Sequence, residues 1–507
     1  MSGPLTLSLD IGTSSTRALL WDLEGREAPG ARSQIAYQMR TTPDGGVEMD
    51  ADELLQHVYA CLDGLFTGQA AQGIEIRAAG MSTFWHSLLG IDAAGKPVTP
   101  VYSWADTRSA GAAERLRAHL DAEALHQRTG CVIHPSYYPA KLRWLRESWP
   151  DLFARTARWI SPSELVMQSL FGPEAACVSV SIASGTGLMN QKSCDWDPEA
   201  LAAAGISRDL LAEIADRPSP AGGMRPEMAA RWPALRSTTF YPPAGDGACG
   251  NIGSGCSHPG RFAINVGTSG AIRALWDAGD REVDQTPAGL WRYRADAKRP
   301  IIGAAFSDGG AAYAWLKRVL RLDADAELEE RLVHGEPGGS GLTCLPFLAG
   351  ERSLGWHPGA RGAIAGLSLN TGPLEIAAAI MEGVALQFAE AERRMEPLFG
   401  APEQIIASGG ALGHSAGWAQ MFADVLGLPL TLAEEPEASS RGAAILAMEA
   451  ADMLPGNRHP EVRLGRQYLP DMERHARFDA LIPRRKALYE AVIADSPGGG
   501  ENNAAAG

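Results

Sequence analysis

An aspartate between two glycines stands at Gly245-Asp246-Gly247, a pattern that could place a carboxylate at a reactive centre. Glycines let the backbone bend sharply and let another molecule approach closely. A carboxylate can accept the proton of a hydroxyl, and phosphoryl transfer to an alcohol needs such an acceptor besides positioning and charge neutralisation. The same tripeptide is also common in ordinary turns, where the aspartate bonds to nearby backbone. Both interpretations stay open on these residues alone.

A run of small residues near the N-terminus could bind phosphate. Gly12, Thr13 and Ser14 predict a turn in which backbone N–H groups and hydroxyls can approach phosphate oxygens. Arg17 offers a planar fork of donors for the same oxygens. Asp10 could hold Mg²⁺, mostly through water, because magnesium keeps several of its waters. A polar hairpin turn with a surface arginine is the alternative.

Two later glycine-containing segments could complete a nucleotide site. Gly267, Thr268 and Ser269 predict a second phosphate-type turn, within a stretch GTSGAIRAL that is similar to the earlier GTSSTRAL. Two such units far apart in one chain indicate two related domains, with chance similarity as the alternative. Gly409-Gly410 follows an apolar run, so that a ribose or a flat ring could lie against bare backbone there.

Aromatic and polar residues occur together in two stretches that could bind a sugar. Trp85 and His86 form the first stretch, and Trp104, Asp106 and Arg108 form the second. Aromatic faces pack on the apolar faces of sugars, while Asp, His and Arg side chains can hydrogen-bond to hydroxyls. The alternative is that both tryptophans lie in the core and that the polar groups are ordinary surface residues.

The elements that must position these residues alternate between strands and helices. Pro373–Met395 predicts a long helix, because its apolar residues recur every four positions and Pro373 stands near its start. Gly383 within that helix suggests a close neighbour, since glycine is unfavourable there by about 1 kcal/mol. The other predicted elements are two hairpins at Leu5–Asp22 and Phe262–Trp276, strands at Ile74–Met81 and Ile405–Ala407, and helices at Ala112–Leu125 and Ala311–Leu320. This alternation predicts an α/β fold.

Composition narrows the class of protein. The 507 residues carry 45 basic and 60 acidic side chains, a net charge of −15, so neither nucleic acid nor an anionic membrane is an expected partner. No apolar run of about 18–20 residues predicts a membrane span, and no signal peptide is evident. Seven cysteines without a C-x-x-C pair indicate free thiols in a reducing compartment, which favours the cytoplasm.

Taken in order, these motifs resemble the FGGY family of carbohydrate kinases, from about Leu5 to about Met453. The later stretches PFLAGERS at 346–353 and SGGA at 408–411 are similar to the family's signatures. The resemblance implies two actin-like, ribonuclease H-like domains that hold ATP in the cleft between them. We expect a sugar-binding domain at 1–250, an adenosine-binding domain at 251–490 and a disordered tail at 491–507.

The resemblance also implies a role for each candidate residue. Asp246 matches the family's catalytic base, and Asp10 matches the carboxylate that positions Mg²⁺. The other matching positions are Gly12, Thr13, Ser14 and Arg17 in the first phosphate loop, Gly267, Thr268 and Ser269 in the second, Gly310, Gly409 and Gly410 at the nucleotide, and Trp85, His86, Trp104, Asp106 and Arg108 at the sugar.

Within the family, D-gluconate is the expected acceptor, with 6-phosphogluconate as product. The runs HSLLGID from His86 and WADTR from Trp104 are most similar to gluconokinases, as is Ile182–Leu188. Trp85 stands where xylulokinases carry methionine, yet a xylulokinase or a related pentulose or polyol kinase is the alternative. Leu354 replaces the family's usual proline after G-E-R-[ST], which predicts a less rigid loop.

A gluconate carboxylate would need a local cation in so acidic a chain. Arg108 is the first candidate, ahead of His86 and Lys141, although a salt bridge between Arg108 and Asp106 is the alternative. An actin-like nucleotide clamp would lack both the G-D-G base and the W-x-D-x-R stretch. A binding protein without catalysis would not need intact Asp10 and Asp246. The oligomeric state stays open, with a homodimer as one candidate.

Overall fold

The structure, a computed structural model, describes residues 3–67, 74–175, 177–218, 223–281, 283–320, 322, 325–455 and 458–494. The disorder predicted for the tail at 491–507 is wrong for residues 491–494, which end a helix at Ile482–Ala494, and the rest of that tail lies outside the described residues. The strands of the described part are β1 (Leu5–Ile11), β2 (Ser15–Trp21), β3 (Glu27–Ala36), β4 (Arg40–Thr41), β5 (Val47–Met49), β6 (Ile76–Thr83), β7 (Leu89–Ile91), β8 (Val101–Tyr102), β9 (Arg158–Ile160), β10 (Cys177–Val178), β11 (Met189–Asn190), β12 (Asp195–Trp196), β13 (Glu213–Ile214), β14 (Thr239–Phe240), β15 (Ala244–Gly245), β16 (Arg261–Val266), β17 (Gly270–Leu275), β18 (Trp291–Arg294), β19 (Pro300–Phe306), β20 (Thr343–Leu345), β21 (Ala363–Ala365), β22 (Gln404–Ser408), β23 (Leu430–Ala433) and β24 (Leu464–Tyr468).

The helices of the same residues connect these strands. They are α1 (Ala51–Thr67), α2 (Ala110–His119), α3 (Ala122–Thr129), α4 (Tyr138–Ser148), α5 (Pro150–Arg155), α6 (Pro162–Phe171), α7 (Val180–Ser184), α8 (Pro198–Ala204), α9 (Pro226–Arg231), α10 (Asp246–Gly253), α11 (Gly310–Leu320), α12 (Asp325–His334), α13 (Pro373–Phe399), α14 (Gly410–His414), α15 (Ala416–Leu426), α16 (Ala438–Ala450), α17 (Met472–Asp479) and α18 (Ile482–Ala494).

The N-terminal half builds a mixed sheet around the first predicted hairpin. Its strand order is β14-β6-β1-β2-β3, and β15 also pairs with β6. Strand β1 runs antiparallel to β2 and parallel to β6, so that Asp10 lies opposite Arg17 on one side and Ser82 on the other. Every residue of β1 is buried, which fits a central strand covered on both faces.

The C-terminal half repeats the same central unit. Its sheet has the order β18-β19-β17-β16-β22-β23-β24. Strand β16 runs antiparallel to β17 and parallel to β22, just as β1 does to β2 and β6. The two similar sequence stretches therefore begin two sheets of the same central topology, and the expected pair of related α/β domains is confirmed.

Two helices show what the sequence patterns did and did not specify. The long helix is confirmed as α13, and a Cβ at Gly383 would lie 2.8 Å from the carbonyl oxygen of Cys344, which explains the glycine. The single helix predicted over Ala112–Leu125 is wrong, because α2 ends before Asp121. The Asp121 side chain accepts a hydrogen bond from the Ala124 backbone N–H and caps α3 as a new helix.

One helix of the C-terminal half packs on the N-terminal sheet. Helix α16 contacts β1, where the Ser440 and Ser8 hydroxyls lie 2.6 Å apart. It also meets α10 through backbone rather than side chains. A Cβ at Gly253 would lie 1.8 Å from the Ala438 carbonyl oxygen, and one at Gly442 would lie 1.8 Å from that of Cys249. The predicted boundary at residue 250 falls inside α10.

No helix in the described ranges is both long enough and apolar enough to cross a membrane.

Candidate active site

Asp246 begins helix α10 at an edge where several strands end. Strand β15 runs parallel to β6, which places Gly245 opposite Thr83, the last residue of β6. Asp10 lies opposite Ser82 on the other side of β6, so the two aspartates flank the end of one strand. The Asp246 carboxylate accepts a hydrogen bond of 2.8 Å from the Gly247 backbone N–H.

The glycines around Asp246 make room for a tryptophan. A Cβ at Gly245 would lie 1.9 Å from Cε2 of Trp85, and a Cβ at Gly247 would lie 2.7 Å from Cζ3 of the same ring. Trp85 is 5% exposed, and its indole N–H donates a 2.9 Å hydrogen bond to the Ser181 carbonyl. Trp85, predicted as a sugar contact, therefore packs beneath the Asp246 loop and supports it.

Two arginines lie close to Asp246. Burial raises the pKa of the Asp246 carboxyl, and the charges of Arg273 and Arg352 oppose that rise. Burial lowers the pKa of each guanidinium in turn. The Nε atom of each arginine is buried without a hydrogen-bond partner, and neither arginine forms an ion pair within the described part of the chain. Asp246 thus faces two cations that no protein carboxylate binds directly.

Aromatic residues lie on one side of these charges and form what we call the aromatic wall: Trp104, Tyr137, Tyr293 and His86. The Arg352 guanidinium lies over the Trp104 ring, with Cζ 4.7 Å from the ring centroid. The hydroxyls of Tyr137 and Tyr293 are hydrogen-bonded at 2.5 Å. His86 packs against both tyrosine rings, and its Nδ1–H donates to the Gly185 carbonyl. Burial lowers the pKa of His86 to about 3, so this predicted sugar contact is neutral.

Arg108 and Asp106 are bound to each other. The Arg108 Nη2 atom lies 2.5 Å from carboxylate oxygens of both Asp106 and Glu48, and its guanidinium also stacks over Tyr102 and Trp144. Asp106 is 2% exposed. The sequence did not decide whether Arg108 forms a salt bridge with Asp106, and the structure shows that it does. The carboxylates of Asp106 and Glu48 therefore already neutralise the Arg108 charge.

Lys141 holds together the segments that carry the aromatic residues. Its ammonium donates hydrogen bonds of 2.9, 2.7 and 2.9 Å to the carbonyls of His86, Ser103 and Ser136. Those carbonyls belong to the segments that carry Trp85, Trp104 and Tyr137. The side chain is 1% exposed, and burial lowers its pKa to about 7. Lys141 thus positions the aromatic residues and has no donor to spare for a ligand.

A cavity of about 900 Å³ brings together predicted nucleotide residues from one edge of the second sheet, where β16, β19 and β22 end. Gly267, Thr268, Gly310 and Gly410 line it. The Gly310 backbone N–H donates a 2.6 Å hydrogen bond to the Gly267 carbonyl, which fixes the N-terminus of α11 against the second turn. A volume of this size suits a nucleotide, and Tyr313, Lys317 and His414, which the sequence did not single out, also line the cavity.

A second cavity, of about 380 Å³, continues from Gly410 to the first turn. It is lined by Gly409, Asp10 and Arg17, and Arg17 lies 3.5 Å from Asp10 and 3.3 Å from Glu437. Burial raises the pKa of Asp10 to about 6, with repulsion from Asp246 and Glu437 adding to the rise and Ser82 and Arg17 opposing it. A bound cation would stabilise the charged form of such a buried carboxylate.

A third cavity, of about 170 Å³, leads from there to Asp246. It shares Asn265, Ser408 and Ser439 with the second cavity and is lined by Asp246 and Arg273 at its far end. The three adjoining cavities therefore form a path from a nucleotide-sized space, past the phosphate-type turns, to the candidate base. A triphosphate along this path would bring its terminal phosphate toward Asp246.

The remaining predicted turn residues hold the two turns closed. Gly12 donates its backbone N–H to the Ser15 carbonyl at 2.9 Å, and Thr13 and Ser14 lie between them. Ser269 accepts a 3.0 Å hydrogen bond from the Gly267 backbone N–H.

Arg273 and Arg352 are the functional candidates that the sequence did not single out. Arg273 stands before Ala-Leu in GTSGAIRAL, where Arg17 stands before Ala-Leu in GTSSTRAL, so the repeat itself contained a signal. Arg352 belongs to the GERS run that supported the resemblance. What the sequence could not show is that both side chains lie half-buried beside Asp246 without an ion-pair partner among the described residues.

Comparison with known proteins agrees with this geometry. Residues 5–253 match the N-terminal domain of the FGGY family of carbohydrate kinases, and residues 262–451 match its C-terminal domain. The chain is similar to the gluconokinase of Bacillus subtilis, with 29% identity over 88% of this chain and 87% of the relative. It is also similar to the glycerol kinase of Gloeobacter violaceus, with 31% identity over 87% of each chain.

Solved structures of sugar kinases have the same fold. The ligand-bound xylulose kinase of Lactobacillus acidophilus superposes with a TM-score of 0.88 and 25% identity, covering 97% of this chain and 99% of the other. The gluconate kinase of the same species gives a TM-score of 0.87 with the same identity and coverage. With both family domains matched across most of its length, the chain belongs to the FGGY family of carbohydrate kinases and is a kinase that uses ATP to phosphorylate a small sugar-type substrate.

Proposed function

We propose that this kinase transfers the γ-phosphoryl group of MgATP to D-gluconate and forms 6-phosphogluconate. The observation that carries the proposal is the charge balance around Asp246. Arg273 and Arg352, two half-buried arginines whose Nε atoms are fully buried, face one aspartate and have no ion pair among the described residues. In a chain of net charge −15, such a local surplus of positive charge favours an anionic acceptor.

A neutral acceptor fits this balance less well. A xylulose or glycerol molecule would leave the half-buried Arg352 guanidinium without a counter-charge, which is unfavourable. The similarity to gluconokinase and gluconate kinase supports the sugar acid, while the similarity to xylulose kinase keeps a pentulose or polyol kinase as the second candidate.

In the proposed mechanism the chain positions both substrates and accepts one proton. The two glycine-rich turns and the N-terminus of α11 hold the phosphates, and Arg17 adds charge-assisted donors. Asp246 accepts the proton of the acceptor hydroxyl as the phosphoryl group transfers. Lys141 and Trp85 keep the aromatic wall and the Asp246 loop in place.

Asp10 is the residue that suits Mg²⁺. Its carboxylate is buried, and its raised pKa shows that the site disfavours its charge until a cation is near. Within the described ranges no three His, Cys, Asp or Glu side chains are grouped to hold a metal by themselves. That agrees with a magnesium ion held by one or two carboxylates, phosphate oxygens and water. When bound, the ion neutralises charge on the phosphates.

The proposed base predicts an acid limit on activity. Because the folded protein holds the pKa of Asp246 above its ordinary 3.8, the carboxylate takes up a proton earlier as the pH falls. The protonated form cannot act as base, so kcat/KM for the acceptor should fall at a pH higher than an ordinary aspartate would give. A pH profile checks this. The part of the decline that belongs to Asp246 should be missing from the residual activity of Asp246→Asn, whereas any decline due to Asp10, whose pKa is raised to about 6, or to ATP should remain.

A substrate panel tests the proposed function. We expect kcat/KM for D-gluconate to exceed the values for xylulose, ribulose, xylitol and glycerol by at least about tenfold, because a buried charge pair discriminates by more than 1.4 kcal/mol. Initial rates with each acceptor at saturating MgATP give the comparison. A neutral pentulose or polyol that wins by the same margin would refute gluconate, while the family assignment would stand.

We also propose that the reaction takes place in the cytoplasm. All seven cysteines lie in the described residues and are free, as is usual for a protein of a reducing compartment.

A further inference from the structure

We propose that Arg352 binds the carboxylate of the acceptor in a subsite formed with Trp104, Tyr137 and Tyr293. The inference deepens the proposed function and rests on it. It moves the carboxylate contact from Arg108, the first candidate in the sequence, to a residue for which the sequence suggested no role.

The first argument is which cation is available. Arg108 has carboxylate oxygens of Asp106 and Glu48 at 2.5 Å, and Lys141 has three carbonyl acceptors. Arg352 has neither kind of partner among the described residues, and its Nε is buried and unsatisfied. Of Arg108, Lys141 and Arg352, only Arg352 has no acceptor among the described residues and can offer its guanidinium fork to a ligand. A carboxylate is the anion that matches this fork in a bidentate way.

The second argument is the neutral surroundings of Arg352. Burial raises the pKa of Tyr137 and Tyr293. Burial also lowers the pKa of His134, and the positive charge of Arg352 lowers it further. These groups are therefore uncharged at neutral pH and leave the guanidinium without a counter-charge on that side. Tyr137 and Tyr293 are 1% and 2% exposed and support the guanidinium from behind. The half-buried Trp104 ring is the one that can pack on the carbon chain of a bound sugar acid while the guanidinium takes its anionic end.

The third argument is how rigidly the backbone holds Arg352. The next residue, Ser353, donates its N–H to the Ala305 carbonyl at 3.0 Å and accepts the Ala305 N–H on its hydroxyl at 2.9 Å. The preceding residue, Glu351, is 4% exposed and bonds to the Tyr489 hydroxyl at 2.8 Å. Arg352 thus projects from a segment fixed on both sides, although Leu354 stands where the family has proline. A fixed guanidinium loses little entropy on binding.

The fourth argument separates Arg352 from Arg273. Arg273 lies on β17, just after the second phosphate turn, and a Cβ at Gly247 would lie 2.9 Å from its Nε. It also lines the small cavity on the phosphate side of Asp246. Arg352 instead lies over Trp104, on the sugar side. The acceptor would therefore extend from a reacting hydroxyl at Asp246 to a carboxylate at Arg352, with Arg273 beside the transferring phosphate.

The experiment compares D-gluconate with D-glucitol, which has the same carbon chain and a neutral end. In Arg352→Gln, KM for D-gluconate should rise at least about 30-fold, because the buried charge pair is lost. The KM of D-glucitol as a substrate, or its inhibition constant as a competitive inhibitor, should change far less. Arg352→Lys, which keeps the charge but not the fork, should fall between Arg352→Gln and the wild type.

Arg273→Gln is the matched control. It removes the other arginine whose charge acts on Asp246, and we expect it to lower kcat with both acceptors rather than to raise KM for D-gluconate selectively. Thermal unfolding of each variant shows whether it is folded, and Arg352→Lys keeps the test interpretable if Arg352→Gln is unstable.

Three outcomes decide the matter. Selective loss of D-gluconate in Arg352→Gln supports the inference. An equal loss with both acceptors, or a selective loss in Arg273→Gln alone, overturns it and leaves the gluconokinase proposal intact. A wild-type enzyme that prefers a neutral acceptor overturns both, and that result appears before any variant is made.

Discussion

Replacing Asp246 with asparagine is expected to lower kcat by about 10²- to 10⁴-fold, the usual contribution of a general base. The amide has the same shape, and its oxygen can still accept the Gly247 N–H that Asp246 accepts at 2.8 Å. It cannot take the proton of the acceptor hydroxyl. The fold and the binding of both substrates should therefore survive while turnover is lost. Steady-state kinetics with calorimetric titration of an ATP analogue measures both.

Asp52→Asn provides the matched control. Asp52 is also in the first turn of a helix, but it is exposed on α1 and lines none of the three cavities. Its kcat should equal that of the wild type. Near-normal turnover in Asp246→Asn would show that another group accepts the proton, and Asp10 would be the next residue to change.

Gly245→Ala is expected to damage both stability and catalysis, although it adds one methyl group. The new Cβ would lie 1.9, 2.2 and 2.3 Å from three atoms of the Trp85 indole. Trp85 cannot easily move, because its N–H is bonded to Ser181 and its ring packs against Trp291 and Tyr293. Overpacking of this kind destabilises by about 1–3 kcal/mol or more. A shift of the adjacent Asp246 by about 1 Å should lower kcat about 10²-fold.

Chemical denaturation and kcat together check this expectation. Gly111→Ala is the control, since Gly111 is exposed in α2 and meets only the end of Arg115 at 3.5 Å. There the substitution should stabilise the helix by up to about 1 kcal/mol. If Gly245→Ala keeps wild-type stability and kcat, the Trp85 ring yields more readily than its contacts indicate, and the loop does not depend on it.

The sequence specified the features that arise from local patterns. The hairpin at Leu5–Asp22 and the long helix α13 follow from periodicity and turn residues, and both are present. The break at Asp121 was missed because an aspartate within a charged helical pattern can be either a surface residue or an N-cap. Only the tertiary path of the chain decides between these two roles.

Partner choice was the part of the site that the sequence could not specify. Arg108 and Arg352 are both arginines in stretches that resemble one family, yet one is neutralised by Glu48, which lies 60 residues away, and the other is not. No local pattern encodes such a pairing. The same applies to Lys141, whose three acceptors come from three separate segments. The sequence shows which residues carry a charge, but it does not show which of those charges stay unpaired in the folded protein.

The backbone contact between α10 and α16 limits how the two halves of the molecule can move. Gly253 and Gly442 bring the helices so close that neither can approach further, and the carbonyls seated on those glycines oppose sliding. Helix α16 also packs on β1 and β6, so α10, α16 and the N-terminal sheet form one block. Asp246 at the start of α10 and Asp10 on β1 both belong to that block. A displacement of the second sheet would therefore leave the distance between these two aspartates unchanged.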